Sequence, residues 1–320
     1  MLANDEVNDP SWSGTRAWVE EQAGGDCRVE GAERLRGGWS SEMRKLSVAG
    51  EGEPRPLVLR SFVKPFYAQH AEGLLTREAD ILRLLGPTGI PVAALKGVDA
   101  TATYCDHPSL LMSLLPGRVR LDTEGAGARN ELLARQLVSI HRVGVPAESR
   151  PRAYQAWASA DAVRVPASTA RPELWQRAAD VIRRDPPAHR PVFLHRDFHP
   201  GNVLFDGQGE RLEITGVVDW VETSWGPADL DVAHCSTALA LLYGVPEGMR
   251  FADRYAAYGG ELSQEPADHL YWRVLDALAY APDAEKVGVP WRELGRHDLT
   301  PALLADRLEA YLLELFRRYG

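Results

Sequence analysis

Apolar residues recur along the first third of the chain with the spacing of β-strands, separated by short polar turns. Three segments rich in Val, Leu and Arg are joined by the connectors GGWSS and GEGEP, which predicts consecutive antiparallel strands. One helix is predicted before these strands and a second after them, ending at Gly86-Pro87. Two further strand-like segments, VAALKGV and SLLMSLL, complete a small sheet. The predicted elements are a helix at 13–22, strands at 28–35, 43–48 and 56–62, a helix at 76–85, and strands at 92–98 and 109–115.

After Pro116-Gly117 the pattern becomes mainly helical, with apolar residues three and four positions apart. Three short apolar segments near position 200, VFLH, NVLF and LEITGVVDW, interrupt the helices. The predicted helices cover 130–142, 172–184, 228–242, 248–258, 266–280 and 301–319. The change of pattern predicts a sheet-containing N-terminal lobe at 1–115 and a helical C-terminal lobe at 116–320.

Composition excludes several classes of protein. With 320 residues, of which 45% are hydrophobic and 25% charged, the chain has a globular composition and is long enough for two lobes. The uncharged run at 232–246 is too short to span a bilayer, and the N-terminus shows no secretory signal. Cys27, Cys105 and Cys235 are far apart, which favours free thiols in a reducing compartment. We therefore expect a cytoplasmic protein with no membrane partner.

Charge narrows the class of ligand. The net charge of −9 argues against a nucleic-acid partner, because phosphates repel an acidic surface. The acidic excess is concentrated at 221–310, which contains 15 Asp or Glu residues against 7 Lys or Arg residues. Such a stretch is either a solvated surface or the wall of a site that attracts a cationic small molecule.

The most informative motif is HRDFHPGNVLF at 195–205, followed by Asp219 in GVVDW. Metal-assisted phosphoryl transfer uses one Asp to orient or deprotonate the acceptor hydroxyl, and an Asn oxygen and a second Asp to bind Mg²⁺. Pro200-Gly201 predicts a tight turn that brings Asp197 and Asn202 to the same side. A polar turn between buried strands would explain one Asp, but not the whole motif together with Asp219.

The strings HRDFHPGNVLF, VVDW and GPADLDVAH resemble the aminoglycoside phosphotransferase family, the small-molecule branch of the protein-kinase-like fold. The resemblance covers nearly the whole chain. It implies an α+β, bilobal fold, in which a small antiparallel sheet with one helix forms the N-lobe and helices form most of a larger C-lobe. It also implies ATP or GTP as donor, Mg²⁺, and a hydroxyl of a small molecule as acceptor. By the same resemblance Asp197 is the catalytic base, and Asn202 and Asp219 are the magnesium ligands.

Two histidines and one aspartate in or after the motif are expected to have mainly structural roles. The resemblance implies that His195 holds the catalytic loop by hydrogen bonds and that Asp231 braces it. His199 can meet substrate or metal, but a His between Phe and Pro on a tight turn is more often a packing residue.

The N-terminal lobe contains the expected nucleotide contacts. Ser40 and Ser41 lie in LRGGWSSEMRKL, which fits the glycine turn whose backbone N–H groups and hydroxyls meet phosphate oxygens. The segment LLMSLLPGR resembles the strand and hinge whose backbone, at Ser113 and Leu115, pairs with the adenine edge.

Arg60 stands in the third strand where kinases usually have Lys. Arg keeps the positive charge and offers a fork suited to phosphate. Its expected partner is Glu78, as in the kinase Lys–Glu ion pair, although a surface pair is the simpler explanation. Lys45 and Lys64 are alternative phosphate-binding cations.

The acceptor is open to three interpretations. Asp219 is followed by Trp220 and no long activation segment follows, so we expect no protein substrate. The acidic stretch favours a cationic antibiotic such as an aminoglycoside. The alternatives are a macrolide or a metabolite such as homoserine, choline or a sugar. Aromatic residues would contact such an acceptor, namely Trp220, Trp225, Trp272, Trp291, Tyr271 and Tyr280. A nucleotide-binding pseudokinase is a third possibility, against which intact Asp197, Asn202 and Asp219 argue.

Overall fold

The computed structural model describes residues 9–35, 41–50 and 55–320, and the chain divides into two compact units. Unit 1 consists of Met1–Gly117 with Thr215–Val221, and unit 2 consists of Arg118–Ile214 with Glu222–Gly320. The return segment Thr215–Val221 places Asp219 in unit 1. That a lobe at 1–115 binds nucleotide and a lobe at 116–320 carries out catalysis stays a prediction.

Unit 1 is built on a five-stranded antiparallel sheet. Alternate side chains of each strand face opposite sides of a sheet. Leu57 and Leu59 accordingly join a core with Trp18 and Leu111, while Arg60 lies on the other face. The strands are β1 (Arg28–Leu35), β2 (Glu42–Ala49), β3 (Arg55–Ser61), β4 (Leu95–Asp99) and β5 (Ser109–Ser113), in the order β1-β2-β3-β5-β4.

Three helices accompany the sheet, and one of them carries Glu78. They are α1 (Ser13–Gly24), α2 (Pro65–Ala68) and α3 (Ala71–Leu85). In α3 the buried residues Leu75, Ala79, Leu82 and Leu85 recur at helical spacing, and Glu78 lies buried in the same stripe. A carboxylate in an apolar stripe needs a cationic partner, because burial of an unpaired charge is costly. The helix begins at Ala71, five residues before its predicted start, and α2 is not predicted from the sequence.

Unit 2 is mainly helical. Its core contains Trp175, Leu241, Trp272 and Tyr311. The helix that begins at Ala228 is buried along almost its whole length, so most of its polar side chains need partners within the chain. The helices are α4 (Ala126–His141), α5 (Pro172–Ile182), α6 (Ala228–Tyr243), α7 (Val245–Ala257), α8 (Pro266–Leu278), α9 (Glu285–Glu293) and α10 (Pro301–Tyr319).

Four short strands frame the sequence motif. They form two pairs. Strand β6 (Pro191–Leu194) is antiparallel to β9 (Ser224–Pro227), and β7 (Val203–Asp206) pairs with β8 (Glu213–Val217). The motif occupies the connection from β6 to β7 and includes a single 3-10 turn at Pro200–Asn202. In unit 2, β9 and α9 were not predicted, because each contains a proline that weakens its sequence signal.

Two further expectations concern the cysteines and the membrane. Cys27, Cys105 and Cys235 are all free thiols. Among the residues described, no helix combines the length and the apolar character that a membrane span requires.

Candidate active site

The connection between β6 and β7 in unit 2 is anchored by Asp231, the fourth residue of α6. The carboxylate is fully buried, and it accepts the backbone N–H groups of His195 and Arg196, both at 2.8 Å. Its Oδ2 also lies 3.1 Å from Nε2 of His141. Arg196 has a φ of 74°, a left-handed conformation that is strained for a residue with a side chain. The two hydrogen bonds to Asp231 therefore stabilise a backbone conformation that would otherwise be unfavourable.

Asp197 is held by two side chains. Its Oδ1 lies 3.0 Å from Nε2 of His234, and its Oδ2 accepts a hydrogen bond of 2.9 Å from Nδ2 of Asn202. About a third of the side chain, 32%, is exposed. Burial raises the pKa of Asp197, but the hydrogen bond from His234 and the charges of His199 and His234 outweigh this effect. The pKa of Asp197 is thus well below its ordinary value, and the group is a carboxylate at neutral pH.

Asn202 is oriented by the same contact. Its Nδ2 donates to Oδ2 and to the main-chain oxygen of Asp197, each at 2.9 Å, so its Oδ1 is the atom turned away from Asp197. An amide oxygen is a suitable ligand for a hard cation such as Mg²⁺. The turn between the two residues depends on Gly201, because a Cβ atom there would lie 2.6 Å from Cε1 of His199.

Asp197, His199 and His234 offer potential metal-ligand atoms that all lie within 4.8 Å of one another. Nδ1 of His199 accepts the N–H of Gly201 at 3.0 Å. In His234 both ring nitrogens face carboxylate oxygens, at 2.9 and 3.0 Å, and both therefore carry protons. His234 therefore donates to Asp197 and to Asp276, while Nε2 of His199 lies 3.7 Å from Oδ1 of Asp197, beyond hydrogen-bond distance.

Unit 1 contains a second cluster of charges around Arg60. The guanidinium is buried and donates to both carboxylate oxygens of Glu78, at 3.0 and 2.9 Å, and to Oδ1 of Asp219 at 3.1 Å. Its Nε donates to the hydroxyl of Ser41 at 3.0 Å. Burial lowers the pKa of Arg60, but the charges of Asp219 and Glu78 outweigh this and raise it above its ordinary value. Arg60 and Glu78 therefore form a buried ion pair rather than a surface one.

The other predicted nucleotide contacts of unit 1 differ in burial and in their hydrogen-bond partners. Ser41 is buried against Arg60, and Ser40 lies outside the described residues. Ser113 ends β5, and its N–H donates to the oxygen of Ala94 while its hydroxyl accepts the N–H of Ala94, both at 2.9 Å. The Ser113 amide thus already has a partner in this structure. Leu115 follows β5 and is half-buried.

A comparison with models of protein families identifies the family of the chain. The model of the family described as "Phosphotransferase enzyme family" matches residues 31–278, more than three quarters of the chain. The chain belongs to this family. Its aminoglycoside phosphotransferase resemblance, expected from HRDFHPGNVLF, is thereby confirmed.

Solved structures of family members have the same fold. A Ralstonia eutropha JMP134 protein provisionally named an aminoglycoside phosphotransferase has a TM-score of 0.62 and 16% identity, over 96% of this chain and 97% of that chain. A thermostable mutant of aminoglycoside phosphotransferase APH(4)-Ia, in complex with ADP and hygromycin B, has a TM-score of 0.61 and 14% identity, over 96% and 99%. Spectinomycin phosphotransferase APH(9)-Ia, with ADP and spectinomycin, has a TM-score of 0.56 and 15% identity, over 90% and 92%. The predicted α+β, bilobal, protein-kinase-like fold class is confirmed. No functionally curated protein matches the chain.

His234 and Asp276, which extend the hydrogen bonds behind Asp197, were not predicted from the sequence. Nδ1 of His234 lies 2.9 Å from Oδ1 of Asp276, whose Oδ2 accepts a hydrogen bond from Thr237 at 2.6 Å. A signal was present, because His234 follows Asp231 by three positions and so lies on the same face of α6. Asp276 is in a different helix, α8, and nothing in the sequence pairs it with His234.

Proposed function

We propose that this member of the phosphotransferase family transfers the γ-phosphoryl group of ATP, or of GTP, to a hydroxyl of a small molecule. The observation that carries the proposal is the arrangement of Asp197 and Asn202. A partly exposed carboxylate is fixed by an amide whose oxygen is turned away from it. Phosphoryl transfer depends mainly on positioning and charge stabilisation, and this arrangement supplies a fixed group for each task.

Each site residue has a proposed role. Asp197 accepts a hydrogen bond from the acceptor hydroxyl, orients it and receives its proton. Asn202 and Asp219 each offer an oxygen to Mg²⁺, which when bound neutralises charge on the nucleotide phosphates. Arg60, held by Glu78, provides positive charge beside Asp219.

Two proposed nucleotide contacts rest on the sequence alone. Ser40 and Ser41 are proposed to meet phosphate oxygens. Since the Ser113 amide is hydrogen-bonded to the oxygen of Ala94, the backbone near Leu115 is the better candidate for contact with the adenine edge.

The free thiols support a reducing, cytoplasmic location as part of the same proposal.

A cationic antibiotic such as an aminoglycoside is the acceptor that the acidic stretch at 221–310 favours. The printed names of the structural neighbours, which include hygromycin B and spectinomycin complexes, support an antibiotic. Most carboxylates of this stretch, however, already have partners within the chain, which makes a cationic acceptor a weaker candidate than net charge alone indicates. These are Glu222, Asp229, Asp231, Glu247, Asp253, Glu261, Asp276, Asp283, Glu285, Asp298 and Glu309.

A neutral acceptor, such as a macrolide, a sugar or another metabolite, is the second candidate. The observation that favours it is the surface beside His234 in unit 2. Trp157 is 38% exposed, its ring centroid lies 5.3 Å from that of His234, and the guanidinium of Arg196 lies 4.1 Å over its ring. An aromatic surface flanked by cations suits a neutral ring better than a polyamine.

The test is a transfer assay with γ-labelled ATP or GTP, with and without Mg²⁺, over hygromycin B, spectinomycin, a macrolide, choline, homoserine and simple sugars. We expect labelled product with at least one acceptor and only when Mg²⁺ is present. A cationic acceptor should have a KM that rises with salt, because salt screens the attraction between charges that are more than about 8 Å apart at physiological ionic strength. A KM that is flat with salt would favour the neutral acceptor. Absence of any transfer or nucleotide hydrolysis would contradict the proposed function and support the pseudokinase.

A further inference from the structure

His234 lies between two carboxylates in the interior of unit 2. Its Nε2 is 3.0 Å from Oδ1 of Asp197, and its Nδ1 is 2.9 Å from Oδ1 of Asp276. The side chains of His234 and Asp276 are only 5% and 1% exposed, whereas that of Asp197 is 32% exposed. The chain of contacts therefore runs from a buried acid, through a buried imidazole, to the carboxylate assigned here as the catalytic base.

The geometry fixes the protonation state of the ring. A carboxylate oxygen can only accept a hydrogen bond, so a ring that faces one through each nitrogen must donate from both. A doubly protonated imidazole is an imidazolium cation, and it lies between two negative charges. Burial lowers the pKa of His234, but the charge of Asp276 and the hydrogen bond with Asp197 outweigh it and raise the pKa to about 9.

Other groups that face His234 leave this charge pattern intact. The hydroxyl of Tyr280 lies 3.2 and 3.3 Å from the ring nitrogens, with the two rings stacked. The rings of Trp157 and His199 pack edge-on at 5.3 and 5.7 Å. Of the nearby charged groups, Lys286 lies over the ring of Tyr280 at 5.0 Å, and its pKa is lowered by burial.

We propose that His234, held by Asp276, is a positioning residue for Asp197. The inference rests on the proposed function. With Asn202 on Oδ2 and His234 on Oδ1, neither oxygen of Asp197 can rotate away from the acceptor. In the transfer step the acceptor oxygen forms a bond to the γ-phosphorus, the bond from that phosphorus to the ADP oxygen breaks, and the acceptor proton passes to Asp197. The imidazolium makes Asp197 a weaker base but a fixed one, which suits a reaction that depends on orientation.

The experiment compares His234→Gln and Asp276→Asn with the control His269→Gln in steady-state transfer to the acceptor found above, or in ATP hydrolysis with water as acceptor. His269 also faces a carboxylate in unit 2, that of Asp229 at 3.7 Å, but does not contact Asp197. We expect kcat to fall about tenfold to hundredfold for the two variants, with the nucleotide KM unchanged, because misplacement of a reacting group has an effect of that size. The control should retain its activity.

A positioning role is separated from a structural one by the Asp197→Asn background. There His234→Gln should lower the residual rate no further, because the group that it positions is already disabled, whereas a general loss of structure would lower both rates. In the wild type, kcat should decline as the pH rises through about 9, and this alkaline limb should be absent in His234→Gln.

A third measurement does not depend on activity. NMR of ¹⁵N-labelled histidine at neutral pH should show both nitrogens of His234 protonated in the wild type, and a neutral ring in Asp276→Asn. A neutral His234 in the wild type, or an unchanged kcat in His234→Gln, would overturn the inference. A wild type that shows the imidazolium but transfers no phosphoryl group would instead overturn the proposed function, and with it the positioning role.

Discussion

Asp231→Asn should destabilise unit 2 by an amount that can be worked out from three contacts. The native carboxylate accepts two backbone N–H groups at 2.8 Å, one on each oxygen, and contacts His141. Asparagine retains one acceptor oxygen and directs an NH₂ group at the other N–H. A buried donor left without a partner costs about 1–3 kcal/mol, and loss of a charged acceptor adds to this. We therefore expect about 2–4 kcal/mol, a large share of the ~5–15 kcal/mol that stabilises a typical domain.

The assay is urea unfolding followed by tryptophan fluorescence, with Asp253→Asn as control. Asp253 is exposed and pairs with Arg318 at the surface, so its variant should change stability by less than about 1 kcal/mol. Burial raises the pKa of Asp231, but the contacts with His141 and nearby positive charges leave it lowered. The stabilisation by Asp231 is thus present at neutral pH and lost as the pH falls below the ordinary aspartate value, so the difference between wild type and variant should shrink in acid. A loss no larger than that of the control would show that the buried hydrogen bonds of Asp231 do not stabilise unit 2.

Three more predictions follow from the charged clusters. Arg60→Met leaves Glu78 buried without its partner and should lower the free energy of unfolding in urea by about 3–5 kcal/mol. The same change at exposed Arg83 should lower it by less than about 1 kcal/mol. Equal losses in the two variants would contradict a buried pair. The pKa of His234 is raised from 6.5 to about 9, so the imidazolium stabilises the fold fully below pH 6.5, and this stabilisation is lost as the pH rises through 9. A His234→Gln variant whose Tm declines in alkali as the wild type does would be evidence against this. Asp219→Asn should raise the Mg²⁺ concentration needed for half-maximal activity, and an unchanged titration would remove Asp219 from the metal ligands.

The extent to which the site could be predicted from sequence depends on how local its contacts are. Asp197 and Asn202 are five residues apart across a Pro-Gly turn, and the structure brings them within 2.9 Å. The ion pair between Arg60 and Glu78 was also expected, from the position of each in its element. These contacts follow from short-range spacing or from the family pattern. The roles assigned to these four residues are still predictions.

Contacts between distant helices could not be predicted in this way. Asp276 reaches His234 only because α6 and α8 pack together, and no periodicity within either helix specifies which residues meet. The acidic stretch shows the same limit, since the sequence gives its net charge but does not show that internal partners already neutralise most of it. The elements β9 and α9 were missed because their prolines oppose the local signal, while packing in unit 2 stabilises them.

Whether Asp197 serves phosphoryl transfer is decided by the Asp197→Asn variant. Turnover with labelled Mg²⁺-nucleotide and acceptor is measured beside nucleotide affinity, with Asp206→Asn as control. Asp206 is an exposed aspartate at the end of β7 that bonds only to Gly207 among the contacts described. The variant at Asp197 should lose about 10²- to 10⁴-fold in turnover with nearly unchanged nucleotide affinity, because general-base help is lost while the nucleotide contacts are retained. Turnover above about half of the wild-type value in Asp197→Asn would contradict this role.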